Sequence, residues 1–278
     1  MKSNATILIL LFSFIFAGSL SAQDISLKPT NRATLVGIGK NFLTDTYLSP
    51  LKYDGLSVSI LQEQMKGTEL FSGKLLLQQQ FQLQVAITKN PTASASEYFG
   101  EVSYQANGLY PFVETNGFRF FAGGGPEASL GGIYNARNSN NPGSLKTSVN
   151  LNLSAMVVYN WRNLTFRWQV TSPWAGVFFT PEYGQSYYEI FSLGNGKGTV
   201  RFASFQNQLA LRNYFTVDIP IKNFTVRTGY LGDYYKTDVN EITTKIMSHQ
   251  FMVGLAYESL NFGGKKIREN SWLRSVYY

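Results

Sequence analysis

The chain has 278 residues, 24 basic against 17 acidic, a single histidine and no cysteine. The missing cysteines exclude a disulfide framework, a lipid-anchor cysteine and a thiolate metal site. The formal charge of +7 is spread along the chain without the clustered stripe that nucleic-acid backbones require, so it fits anionic lipid phosphates or a solvated lumen and rim, with no nucleic acid as partner.

At the N-terminus Lys2 precedes an apolar run at 7–17 and a small, polar stretch ending in Ala22-Gln23. This is the plan of a secretory signal peptide, too short to span a membrane as a helix. Cleavage falls between Ser21 and Asp24. Taking residues 1–23 as the signal removes Lys2 and leaves 23 basic against 17 acidic residues, with 24–260 as the folded unit. No later apolar run reaches about 18 residues, so a membrane-spanning form would have to be a closed barrel.

Alternation of apolar and polar residues then recurs along the chain. It is weak at 32–40 and 56–64 and strongest at 71–88, where Phe81, Leu83, Val85 and Ile87 interleave with Gln80, Gln82, Gln84 and Ala86. A strand sends successive side chains to opposite faces, so 71–88 has an oily face and a wet face over a length that suits lipid outside and a polar lumen inside. The pattern returns at 98–112, 118–127, 145–159, 164–171, 203–217, 224–234 and 249–257. Tight links near 66–69, 114–117, 160–163 and 218–223 alternate with longer ones near 41–53, 89–97, 133–144, 176–198 and 236–244. Short periplasmic turns and long outside loops give an all-β fold, a single antiparallel transmembrane β-barrel of about ten strands, with eight to twelve compatible.

The strand at 249–257 places Phe251, Val253, Leu255 and Tyr257 on one face and reads as the closing strand. Residues 261–278 read as a basic periplasmic tail. A rival reading closes the barrel with 271–278, but turns Arg274 toward lipid at about 2–4 kcal/mol near the midplane.

Three groups of residues bear on function. His249 shares the lipid-facing parity of Phe251, away from Asp233 and Glu258, with Met247 and Phe251 two residues either side where barrel proteases and phospholipases carry an acid or a serine. A histidine base needs an orienting carboxylate, so the expectation is no enzyme and no catalytic residue. Parity turns Lys74, Arg119, Lys146, Arg167, Arg212 and Arg227 inward with Glu101, Glu127, Asp233 and Glu258; in so narrow a lumen they are expected to pair, as a plug or as the lining of a narrow pore. Arg119, Glu127, Arg167, Arg212, Arg227 and Asp233 are the core of that expected network. The third group is the aromatic outside link at 172–195. Ser186 and Glu189 form a capping box that starts a short helix at Tyr187, and Tyr183, Gln185, Tyr187, Tyr188 and Glu189 are candidate ligand-binding or gating residues at the mouth. Its removal, over 178–191, is expected to open a path through the barrel.

The PEYGQSYYEIF stretch, the Ala22-Gln23 junction and the TLVGIG opening strand resemble a family of uncharacterised exported proteins from Bacteroidota, a domain of unknown function similar in plan to outer-membrane barrels. The resemblance implies a location and a fold but no activity. The expected protein is an outer-membrane barrel without cofactor or metal, in contact with outer-membrane lipids and the barrel assembly machinery, binding or passing a small molecule or supporting the envelope. The alternatives are a barrel hydrolase, which would need acids such as Asp45, Glu182 and Glu189 clustered at the rim, and a soluble exported β-sandwich or lipocalin-like binder.

Overall fold

The computed structural model describes residues 30–139, 141–221 and 224–259. The expected signal peptide and the tail at 261–278 lie outside the described residues. Eleven strands form one antiparallel sheet: β1 (Thr30–Asp45), β2 (Ser49–Gly67), β3 (Leu76–Lys89), β4 (Ser96–Thr115), β5 (Phe118–Asn135), β6 (Gly143–Trp161), β7 (Leu164–Phe179), β8 (Val200–Ser204), β9 (Gln208–Ile221), β10 (Phe224–Val239) and β11 (Ile242–Ser259). Each pairs with its neighbour in sequence except β8 and β9, which both pair with β7, and β11 pairs with β1 from Thr30/Ser259 to Asp45/Thr244, so the sheet closes on itself.

The ring has ten positions because β8 and β9 share one. β7 pairs with β9 up to Thr171/Arg212 and with β8 from Ala175/Ser204. Between those two pairs β7 advances four residues while the facing chain advances eight. The interruption lies at Pro173, which brings no backbone N–H to a ladder, and the opposite edge of β7 shifts register there too, between Leu151 and Asn152 of β6.

The burial pattern is that of a soluble protein turned inside out. In β3, Gln78, Gln80, Gln82 and Gln84 are 0–4 % exposed, whereas Val85 and Ile87 are 52 % and 58 % exposed. Such an outer wall of Val, Ile, Leu and Phe on every side needs lipid, and closure satisfies the backbone groups that lipid cannot. This removes the β-sandwich and lipocalin-like alternatives. Among the described residues no helix is long and apolar enough to cross a membrane; the chain crosses with strands.

Strand ends depart from the sequence reading in both directions. β3 begins at Leu76, because Phe71 and Ser72 take positive φ (51° and 58°) in a helical turn at Leu70–Gly73, and Lys74, expected in the lumen, is exposed beside that turn. Asp218, expected in a turn, belongs to β9. Two of the outside links are tight: residues 46–48 join β1 to β2, and Asn240 and Glu241, both at positive φ, join β10 to β11 in the geometry that follows strand twist. Beyond the apolar layer strands no longer need an oily face, so their polar ends look like loop in the sequence.

Candidate functional site

The lumen is the site the fold presents, and it is filled in layers. At the end where β2 turns into β3, Met65, Leu76, Leu109, Phe121, Met156 and Val158 form an apolar floor. Above it lies a buried charge cluster. Glu63 of β2 accepts from Arg167 Nη2 at 2.6 Å and Arg227 Nη1 at 2.7 Å through one oxygen, and from Gln78 and Gln80 at 2.7 and 2.9 Å through the other. Arg227 also grips Asp218 with two 2.6 Å bonds, and the Arg167 guanidinium lies over the Tyr214 ring, 4.9 Å from its centroid. Two guanidiniums against two carboxylates leave the cluster neutral, with the planar fork of arginine matched to carboxylate geometry.

Three bridges span the full diameter of the ring. In ten positions β2 faces β7, β3 faces β8/β9 and β1 faces β6. Glu63 reaches Arg167 (β2 to β7), Gln82 Oε1 accepts from Arg212 Nη2 at 2.6 Å (β3 to β9), and Asp45 Oδ2 forms an ion pair with Lys146 Nζ at 2.8 Å (β1 to β6). Contact between opposite walls puts side chains across the axis at each of these heights.

The expected charge network is therefore brought together in part. Arg167 and Arg227 share one cluster, and Arg212 pairs with Asp233 at 2.8 Å, with Glu127 nearby accepting from Asn152 Nδ2 at 2.5 Å. Arg119 is the correction: it has the inward parity, but it is the second residue of β5, at the rim beside the β4–β5 turn, where it pairs at 3.0 Å with the exposed Glu114. The acids that anchor the network, Glu63 and Asp218, went unrecognised as partners in sequence, one lying in a weakly alternating strand and the other beside a Pro-containing turn signal.

At the outer end Leu43, Tyr47, Tyr53, Phe99, Ile133, Ile242 and Ile246 form an apolar ceiling, and the loop after β7 covers it. That loop runs over residues 180–199, because Phe178 and Phe179 belong to β7; its base is closed by Thr180 N to Thr199 O at 2.8 Å. The capping box forms: Ser186 Oγ accepts from Glu189 N, Glu189 Oε2 accepts from Ser186 N at 2.8 Å, and helix α1 (Tyr187–Phe191) follows. Three tethers fix the loop across the mouth. Tyr187 Oη accepts from Leu145 N at 2.6 Å, Tyr47 Oη donates to Gln185 O at 2.7 Å, and Asn240 Nδ2 donates to Pro181 O at 3.2 Å. Burial pushes the Tyr47 and Tyr187 hydroxyls up from their ordinary values, so both stay neutral across physiological pH.

Of the candidate mouth residues, Tyr187 alone packs into the ceiling. Gln185 and Glu189 are used in holding the loop's own shape, with Gln185 Nε2 on Asn195 O at 2.8 Å, and Tyr183 and Tyr188 point outward, 63 % and 66 % exposed. A short helix offers one face to the ceiling, and Tyr187 and Ile190 occupy it.

His249 stands on the outer wall as its parity requires. Its Nδ1 lies 2.5 Å from Tyr230 Oη, and Phe42 meets its ring edge-on at 6.2 Å. Asp45 is buried in an ion pair with Lys146. Replacing His249 by Gln is expected to leave assembly intact and to cost no more than about 1 kcal/mol, the scale of one hydrogen bond, read as an unchanged heat-dependent shift in gel mobility.

Fold and lumen together define a transmembrane β-barrel with a layered, cross-braced interior. By sequence the chain belongs to the DUF3316 family, described as a protein of unknown function, whose sequence model matches residues 5–266. No curated protein matches it. Among solved structures it is similar to the outer membrane protease OmpT from Escherichia coli (8 % identity, 87 % of this chain and 99 % of that one, TM-score 0.43). It is similar also to the transport unit of the autotransporter AIDA-I from Escherichia coli (11 % identity, 91 % and 97 %, TM-score 0.46) and to the β domain of the Bordetella autotransporter BrkA (10 % identity, 82 % and 98 %, TM-score 0.41).

Proposed function

We propose that this protein is a non-enzymatic outer-membrane barrel that works by what it binds in the outer half of its lumen, under the 180–199 loop, and passes nothing through. The observation that carries this reading is the set of three bridges between diametrically opposite strands, Glu63 to Arg167, Gln82 to Arg212 and Asp45 to Lys146, stacked between an apolar floor and an apolar ceiling. A channel needs a continuous wet path, and each bridge crosses the axis. Outer-membrane lipids are the partner of the oily wall, and the barrel assembly machinery is the expected route to the membrane. The hydrolase alternative has no support in the surroundings of His249.

Conductance in planar bilayers tests it. The full chain is expected to show a conductance near zero, and so is a variant lacking residues 182–196, because the three bridges lie below the loop and do not depend on it. A steady open conductance in the intact protein would overturn the reading; opening by the loop deletion alone would assign the seal to the loop and remove the role given to the bridges.

A further inference from the structure

The outer half of the lumen holds a partly open cavity of about 100 Å³, with Arg212 and Lys146 among the residues that line it. Its charges do not balance. Lys146 is matched by Asp45 at 2.8 Å and Arg212 by Asp233 at 2.8 Å. That leaves Glu101 and Glu127, both lining the cavity. The charges whose fields reach Glu101 are Asp233 and Glu127, of like sign, and Arg212, already engaged by Asp233. Two carboxylates in excess in a lumen walled by lipid are costly unless something positive answers them.

The polar atoms around them are also unanswered. Asn150 Oδ1, Asn152 Oδ1, Ser248 Oγ, Gln105 Nε2 and Gln208 Nε2 line the cavity and have no hydrogen-bond partner among the described residues. All five residues are more than nine-tenths buried. The two asparagines are oriented for this: Asn150 Nδ2 donates to Ser148 Oγ at 3.1 Å and Asn152 Nδ2 to Glu127 at 2.5 Å, so each turns its carbonyl oxygen free. Buried polar atoms are almost always satisfied, and five orphans around one cavity mark a place built for an occupant.

The geometry points to a binding site for one hydrated divalent cation of the Mg²⁺ or Ca²⁺ class, held between Glu101 and Glu127, with Asn150, Asn152 and Ser248 contacting the ion or its water. The excess of two negative charges sets the ion's charge. The available ligands are hard oxygens, with neither imidazole nor thiolate among the lining residues, which is the donor set of these two ions. Among the described residues no three acidic or imidazole groups converge closely enough to strip an ion bare, so it keeps water. The volume suffices, since one water needs about 10–15 Å³ of such space and the cavity offers about 100 Å³, room for an ion with several waters. The glutamine Nε2 groups then donate to those waters. This site deepens the binding role proposed above and rests on that reading for its place in a closed lumen.

The test uses the full chain folded in detergent and stripped with a chelator. Its heat-unfolding midpoint, read by gel mobility, is expected to rise with Mg²⁺ or Ca²⁺, whichever the site prefers, and to stay put with K⁺ at equal ionic strength. The variant Glu101→Gln/Glu127→Gln is expected to unfold at a higher temperature than the stripped wild type, through loss of like-charge repulsion, and to gain nothing from either ion. An equal ion-induced rise in wild type and variant, or none in wild type, overturns the site. A second measurement on the wild type alone guards against a variant that fails to assemble: Tb³⁺, sensitised by Tyr234 and Tyr235 at the cavity, should emit several-fold above background and be displaced by the preferred ion. Background emission there also overturns it. A barrel that conducts yet retains this ion response defeats the sealed-lumen reading and leaves the cation site standing, so the two failures are distinct.

Discussion

Replacing Glu63 by alanine is expected to destabilise the barrel by about 3–5 kcal/mol, the cost of removing one partner from a buried ion cluster. Glu63 is fully buried and accepts two charged and two neutral hydrogen bonds. Without it Arg167 Nη2 and Arg227 Nη1 lose their carboxylate in a place that water does not reach. Arg227 retains its two bonds to Asp218. The denaturant midpoint in detergent measures the loss. A paired variant, Glu63→Met with Arg167→Met, should lose clearly less than the two single changes together, because swapping both ions for apolar groups of similar volume can approach neutrality. A single-variant loss under about 1 kcal/mol would mean that the cluster is solvated, and the claim of a braced, dry lumen would go with it.

Gly39→Val is expected to prevent stable closure. Gly39 pairs with Gln250 on the β1–β11 seam, and a Cβ built there falls 1.8 Å from His249 O and 2.8 Å from Gln250 Cα. Gly254, on the facing strand of the same seam, meets Thr34 O at 2.0 Å in the same way. Both obstacles are backbone, so no side-chain rotation relieves them and the ladder itself has to open. Overpacking commonly costs about 1–3 kcal/mol and occasionally more; on the seam that closes the ring the effect should reach or exceed the upper end. Loss of the heat-modifiable folded band is the readout. Gly100→Ala, where an added Cβ meets nothing within 4 Å, is the matched control and should assemble as wild type does. Equal assembly of Gly39→Val and Gly100→Ala would show that the seam has slack enough to admit a side chain.

Much of the fold was legible in the residues because lipid imposes a local rule. Every outward position must be apolar and its neighbours need not be, so the parity of Phe81, Leu83, Val85 and Ile87 against Gln80, Gln82 and Gln84 could be read one strand at a time. The inward parity of Arg167, Arg212, Arg227 and Asp233 and the outward parity of His249 follow from the same rule. So does the capping box, since Ser186 and Glu189 are three residues apart on one chain and need no partner elsewhere. Strand ends escaped it because outside the apolar layer the rule lapses, which is why Lys74 was placed inside and Asp218 in a turn.

What the sequence by itself determined is thus the class of fold, a ring of about ten strands within eight to twelve, and the face on which the charges inside the strands lie, all consequences of a period of two against a two-solvent wall. Which charge meets which was decided only by the closed barrel. Glu63 and Arg167 are 104 residues apart in sequence, Gln82 and Arg212 130 apart, and Asp45 and Lys146 come from opposite sides of the ring. Parity states that a side chain points inward and is silent on its height along the axis, which depends on the stagger of every ladder between the two strands. The same stagger puts Arg119 at the rim and Glu101 beside Glu127, and so creates both the bridges across the lumen and the uncompensated cavity that Lys146 and Arg212 line.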